Sequence, residues 1–271
     1  MYNYEFDKQD RKASTFWSCL FMTRKNSRYY QNVGGNTMSH MKLLCLAHAG
    51  GSATMYYKWN KMSVSVEILP LELPGRGTRW SEPLCHRIEE AAAYLYQKAI
   101  AHLERDEAYM LFGHSMGSLL AYELARLLRN NGYREPAHLF VSSGRAPHFV
   151  SESSYTYTSE EDFKNRILSY DPASNVIFEQ QELYDLFIPI LKADLNMLGS
   201  YVHKNKDSVL RCPITALAAI DDSSVPLHEA EAWKLYTDNV FSLKEFEGGH
   251  FFIHQQGEPI LSIIQQFIQL D

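Results

Sequence analysis

Short apolar runs and stretches of helical spacing alternate through the first half of the chain. Residues 42–47 (KLLCLA) form a nearly continuous apolar run, as expected of a strand buried on both faces. Residues 64–71 predict a second strand. Residues 86–103 carry Ile88, Ala92, Leu95, Ala99 and Leu103 at helical intervals and predict a helix lying on one face of a sheet. The apolar run at 109–112 predicts a third strand, and a helix follows it without an intervening loop. Its apolar positions are Met116, Leu119, Leu120, Leu124, Leu127 and Leu128, and Asn131-Gly132 supplies a stop signal. Residues 137–143 predict a fourth strand. The order strand, strand, helix, strand, helix, strand predicts an α/β fold around a mostly parallel sheet with helices on both faces.

From about 146 to 206 the alternation stops, and the pattern becomes helical and rich in aromatic residues. Ser159 and Asp162 form a capping signature ahead of Phe163, Ile167 and Leu168. Residues 181–198 carry Leu183, Leu186, Phe187, Ile190, Leu191, Leu195 and Leu198. Some sixty residues is too long for a plain connection between strands, and an inserted helical lid is expected. The sheet resumes at 213–220. Pro226 opens a helix holding Ala230, Trp233, Leu235 and Tyr236, residues 240–246 form the last strand, and 258–270 form a closing amphipathic helix. Residues 1–40 are polar and locally basic (Arg24, Lys25, Arg28), with one apolar island at 15–22, and read as a loosely ordered extension before a domain at 41–271. Met38 or Met41 is an alternative start.

Composition changes this picture little. The 271 residues are long enough for a substantial core, and the net charge of −6, without a basic block, argues against nucleic-acid binding. Cys19, Cys45, Cys85 and Cys212 are scattered and lack metal-ligand spacing. Cys45 and Cys212 sit in or beside apolar runs as expected of buried free thiols, and a cytoplasmic setting fits best. No stretch has the apolar length of a transmembrane helix or the pattern of a signal peptide. His228-Glu229 lacks the second histidine of a zinc helix, so no metal and no cofactor are expected.

The candidate chemistry begins at Gly113-His114-Ser115-Met116-Gly117, a G-x-S-x-G set between a strand and a helix. In that context Ser115 sits on a strained turn with its hydroxyl exposed, and a Cβ at either flanking glycine would crowd the turn. The helix N-terminus aims its first N–H groups at the site where negative charge would develop. His48-Ala49-Gly50-Gly51 follows the first strand and can point backbone N–H groups at an oxyanion. A serine hydroxyl needs a base, oriented by a third group. The acidic pair Asp221-Asp222 follows the strand at 213–220, and His250 follows the strand at 240–246, giving the chain order serine, acid, histidine. His250 is preferred over His114, whose side chain should point away from its neighbour Ser115, and over His254. Spacing alone leaves Asp221 and Asp222 both open. Arg76 and Arg79 read as solvated surface charges, and Asp194 as a surface or structural acid.

The motifs LAHAGG (46–51), LPGRGTR (73–79), GHSMGS (113–118), AP (146–147), ADL (193–195), EAW (231–233) and GGHFFI (248–253) together resemble the type II thioesterases that accompany nonribosomal peptide and polyketide synthases. These enzymes are related to the medium-chain acyl thioesterases of fatty acid synthesis. The resemblance implies an α/β-hydrolase fold and hydrolysis of acyl groups from the phosphopantetheine arm of a carrier protein. It also implies a Ser115–Asp222–His250 triad, with Asp222 favoured as the second acid after its strand, and an oxyanion hole from the backbone N–H groups of Met116 and Ala49. The implied partners are a carrier protein and an acyl thioester, with no nucleic acid or membrane, for a monomer. Ala47 stands where the family has proline, Ala218-Ala219 replaces its glycine, and the N-terminal extension is longer than usual. A small-molecule serine esterase would share every catalytic residue. A non-catalytic binding protein of the same fold would be expected to lack one, and none is missing.

Overall fold

The computed structural model describes residues 41–268 except 64, 152–154 and 204–208. The expected extension at 1–40, with its apolar island and Cys19, lies outside the described residues. Six strands form one sheet: β1 (Met41–Leu46), β2 (Val66–Pro70), β3 (Tyr109–His114), β4 (His138–Ser142), β5 (Ile214–Ala219) and β6 (Phe241–Phe246). Their spatial order is β2-β1-β3-β4-β5-β6, and every pairing is parallel. In β1, Leu44 lies opposite Leu69 on one side and Leu111 on the other. All six predicted strands are present, shifted by at most two residues at their ends.

The helices are α1 (Trp59–Met62), α2 (Ile88–Ala99), α3 (Met116–Asn130), α4 (Glu160–Tyr170), α5 (Val176–Glu179), α6 (Gln181–Gly199), α7 (Leu227–Glu231) and α8 (Gly257–Gln266). Alternation along the strands divides the core in two. Leu44, Leu46, Leu111 and Val141 pack with Leu95 of α2 and Leu120 and Leu124 of α3. Leu43, Cys45, Met110 and Phe112 face the opposite layer, with Trp59 of α1 and Ile260 and Ile264 of α8. A parallel sheet covered on both faces needs apolar residues at consecutive positions, which is why the central strands read as continuous runs.

Three local features differ from the sequence reading. The short turns Ala53–Tyr56 and α1 occupy a stretch for which no element was expected. Each is only four residues, too short to show a period, yet Tyr56 is fully buried and its hydroxyl donates to Leu46 O at 2.7 Å. The helix after Pro226 tightens into a 3₁₀ turn over Ala232–Tyr236. At three residues per turn Trp233 and Tyr236 share the buried face, while Leu235 turns outward and is 61% exposed. The segment between β4 and β5 is helical as expected, and it also contains the short elements Pro172–Asn175 and α5, which carried no sequence signal.

Ser159 caps α4 by accepting from Asp162 N at 3.0 Å. Cys45, Cys85 and Cys212 are buried free thiols, and burial pushes Cys212 up to about 12. Among the described residues no helix is long and apolar enough to cross a membrane, and no cluster of His, Cys, Asp or Glu is arranged to hold a metal.

Candidate active site

Strand β3 delivers the chain directly into α3 through Ser115, whose backbone sits at φ 55 and ψ −119. A side-chain-bearing residue rarely occupies that region, and here neighbouring contacts enforce it. Ser115 N donates to Ser142 O at the end of β4 at 2.7 Å. The buried Ser118 hydroxyl bonds Gly113 O at 2.9 Å and lies 3.2 Å from both Ser142 N and Ser142 O. The flanking glycines are a steric requirement. A Cβ on Gly113 would lie 2.0 Å from Gly117 O, and one on Gly117 would lie 2.3 Å from Leu46 O. These are backbone atoms that cannot swing aside. Gly117→Ala is therefore expected to cost at least about 3 kcal/mol of stability. Gly249→Ala, whose Cβ meets nothing within 4 Å, should stay within about 0.5 kcal/mol of wild type. Urea unfolding midpoints compare the two.

The loops at the ends of β5 and β6 bring the other two groups to Ser115. His250 Nε2 lies 2.9 Å from Ser115 Oγ, and His250 Nδ1 lies 2.8 Å from Asp222 Oδ2. Asp222 and His250 are both buried. The second Asp222 oxygen accepts from Ser224 N at 2.9 Å and Val225 N at 3.2 Å, which aims the first at the imidazole. Asp221, in contrast, is exposed, and its backbone N–H ties the two loops together through Gly248 O at 3.1 Å. Burial alone would raise the Asp222 carboxyl, but the hydrogen bond and charge of His250 and the Ser224 amide outweigh it and hold it below the usual carboxylate range.

Two competing histidines sit beside this line without joining it. His114 is fully buried and bonds Ser142 Oγ at 2.9 Å, away from Ser115. His254 stacks on Phe251 and stands edge-on to His48. Burial lowers His48 to about 3 and His254 to about 4, so both rings are uncharged at neutral pH.

The opposite wall of the site corrects the reading of Arg76 and makes Asp194 the structural rather than the surface acid. Neither is a surface charge: Arg76 is 3% exposed and Asp194 fully buried. They form a two-pronged pair, Nη1 to Oδ2 at 2.6 Å and Nη2 to Oδ1 at 2.7 Å, joining the loop after β2 to α6. Asp194 Oδ2 also accepts from Gly50 N at 2.7 Å, beside Ala49. Arginine in a glycine-rich turn and aspartate in a predicted helix lie more than a hundred residues apart, and only the tertiary fold pairs them. Arg79 is partly exposed and pairs with Glu82.

Helices α4 to α6 lie over Ser115. The Tyr170 ring, at the end of α4, packs 4.9 Å from the His250 ring. Ile167, Ile177, Phe187, Leu191 and Leu195 line a narrow apolar cavity that opens onto Ala49, Ser115 and His250. The arrangement offers a hydroxyl beside an acceptor nitrogen, a carboxylate behind that nitrogen, and an apolar chamber in front.

Comparison with known proteins agrees in kind. A family model described as the thioesterase domain matches residues 41–268. The gramicidin S biosynthesis protein GrsT of Aneurinibacillus migulanus is 31% identical over 255 residues, covering 92% of this chain and 97% of that protein. The solved structure of ClbQ from the colibactin NRPS/PKS pathway superposes with a TM-score of 0.77 at 32% identity, covering 85% of this chain and 98% of its own. The type II thioesterase BorB from the borrelidin biosynthetic cluster gives 0.75 at 33% identity, with 85% and 94% covered.

Proposed function

The chain belongs to the thioesterase family, and from that membership we propose that it hydrolyses acyl groups from the phosphopantetheine arm of synthase carrier proteins, with Ser115, His250 and Asp222 as its triad. It is a type II thioesterase of the group found with nonribosomal peptide and polyketide synthases, and its neighbours share the α/β-hydrolase fold. The observation that carries the mechanism is the continuous line from Ser115 Oγ through His250 to Asp222, with links of 2.9 and 2.8 Å.

In this mechanism Ser115 Oγ attacks the thioester carbonyl carbon while His250 Nε2 takes its proton. The carbonyl oxygen becomes an oxyanion facing the backbone N–H groups of Met116, at the start of α3, and Ala49. Collapse of this intermediate breaks the C–S bond. The pantetheine sulfur leaves and takes the proton from His250, and the acyl group remains on Ser115. A water molecule then attacks the acyl-serine, gives a proton to His250, and releases the carboxylic acid as Ser115 regains its proton. A thiolate leaves more readily than an alkoxide, so thioester cleavage demands little of His250 as an acid.

Carrier recognition separates this reading from a small-molecule esterase. Acyl-loaded carrier protein is expected to be cleaved with kcat/KM at least about 100-fold above that of a simple ester of the same acyl group, the excess coming from the better leaving group and from binding remote from the reacting carbon. Mass spectrometry of the carrier after incubation reads both the reaction and the acyl group removed. Equal efficiency on both substrates would make the protein a general esterase.

A further inference from the structure

One peptide plane in the loop after β1 is held from both ends. The plane between Ala49 and Gly50 has its N–H bonded to Asp194 Oδ2 at 2.7 Å, and its carbonyl accepts from His48 Nδ1 at 2.9 Å. The rest of the loop is fastened in the same way. Arg76 Nη1 reaches Gly51 O at 3.5 Å, and Glu72 accepts from Ser52 Oγ at 2.6 Å and from Ala53 N at 3.0 Å. Glu72, Arg76 and Asp194 are all buried. Gly50 has φ +73, and the carboxylate that fixes it comes from α6, more than a hundred residues along the chain. A Cβ on Gly50 would lie 2.5 Å from Leu191 Cδ2. Leu191 and Asp194 are three residues apart and so share one face of α6.

We propose that Asp194 is a positioning residue, through which α6 holds the Ala49 amide at the angle needed to receive the oxyanion. The inference rests on the reading of Ala49 as an oxyanion donor. With the 49–50 plane fixed, the direction of the Ala49 N–H depends only on rotation about the bonds of Ala49 itself. Arg76 neutralises the Asp194 charge and pins both of its oxygens, so the carboxylate cannot rotate away from Gly50. The same face of α6 supplies Leu191 and Leu195 to the apolar cavity. One helix thus carries both the wall that meets the acyl chain and the anchor of the loop that meets its carbonyl oxygen.

The test compares Asp194→Asn, Asp194→Ala and Arg76→Lys with wild type. The readouts are kcat and KM on an acyl N-acetylcysteamine thioester, inhibition by the matching trifluoromethyl ketone, and binding of the product acid. The ketone adds Ser115 as a hemiketal and so places a real oxyanion in the site, whereas the acid reports only the chamber. Each variant that folds is expected to lose about 10- to 100-fold in kcat and the same factor in ketone affinity, with KM and acid binding within about twofold of wild type. Arg76→Lys keeps the charge but loses the fork, and it supplies the comparison if the Asp194 variants do not fold. The proposal is overturned if folded variants keep kcat and ketone affinity, whatever their melting temperature, or if acid binding falls in step with kcat. If wild-type protein fails to bind the ketone, the proposal falls together with the oxyanion reading. If wild type binds it and the variants match wild type, the proposal falls alone.

Discussion

Ser115→Ala and His250→Ala are each expected to lower kcat on an acyl thioester by about 10⁴- to 10⁶-fold, and the double variant by no more than either alone. In the proposed mechanism the two groups act as one unit. Without the hydroxyl there is no nucleophile for His250 to deprotonate, and without the imidazole the hydroxyl is nearly inert at neutral pH. Both variants should remain folded, because Ser115 Oγ bonds only His250 in the described structure and its strained backbone is held by Ser142 O and the close-packed glycines. KM should change little, since the chamber is walled by α4 to α6. His254→Ala is the counterpart. That ring packs against Phe251 and His48 rather than Ser115, and its loss should leave kcat within about threefold of wild type. Steady-state rates with matched circular dichroism spectra decide the matter. A His254 variant as inactive as the His250 variant would move the base, and an active Ser115 variant would end the enzyme reading.

Much of this arrangement is legible in the amino-acid sequence, for a physical reason. A parallel strand buried on both faces must be apolar throughout, and a strand that turns into a helix around a nucleophile must place glycine wherever backbones come within 3 Å. Residues 42–47, 109–117 and 213–220 carry those marks, so the sheet, the elbow and the order of Ser115, an acid from the pair Asp221-Asp222, and His250 could all be read. Their signals are local, each written within about ten residues.

What stayed hidden is non-local. Arg76 looks like one charge in a glycine-rich turn and Asp194 like one acid beside apolar helix positions, and a charged side chain is buried only when its partner is supplied. That partner lies 118 positions away, so neither residue announces its burial. The Tyr170 ring over His250 is invisible for the same reason: its place depends on how α4 crosses the sheet. The choice between Asp221 and Asp222 falls between these cases. Both follow β5, and one residue of turn geometry decides which carboxylate faces inward.

That turn makes Asp222→Asn the sharpest probe of the acid. The carboxamide oxygen can still accept from Ser224 N and Val225 N, so the loop should keep its shape. The group then facing His250 Nδ1 is an NH₂, which needs an acceptor. His250 must therefore shift its proton to Nε2, the nitrogen facing Ser115 Oγ at 2.9 Å. An Nε2 that already carries hydrogen has no lone pair with which to take the hydroxyl proton, so in this tautomer the ring cannot serve as the base for Ser115. The expected loss in kcat is about 10⁴-fold, with urea stability nearly unchanged. Asp221→Asn alters an exposed side chain, and the described bonds of this residue, N–H to Gly248 O and carbonyl from Ser223 N, run through its backbone, so kcat should stay within about twofold. The reverse ranking would assign the acid to Asp221 and require the loop after β5 to turn over. Because Asp222 Oδ1 and Oδ2 are held separately, by the two amides and by the imidazole, the asparagine exchange isolates the tautomer of His250 from the geometry that presents it.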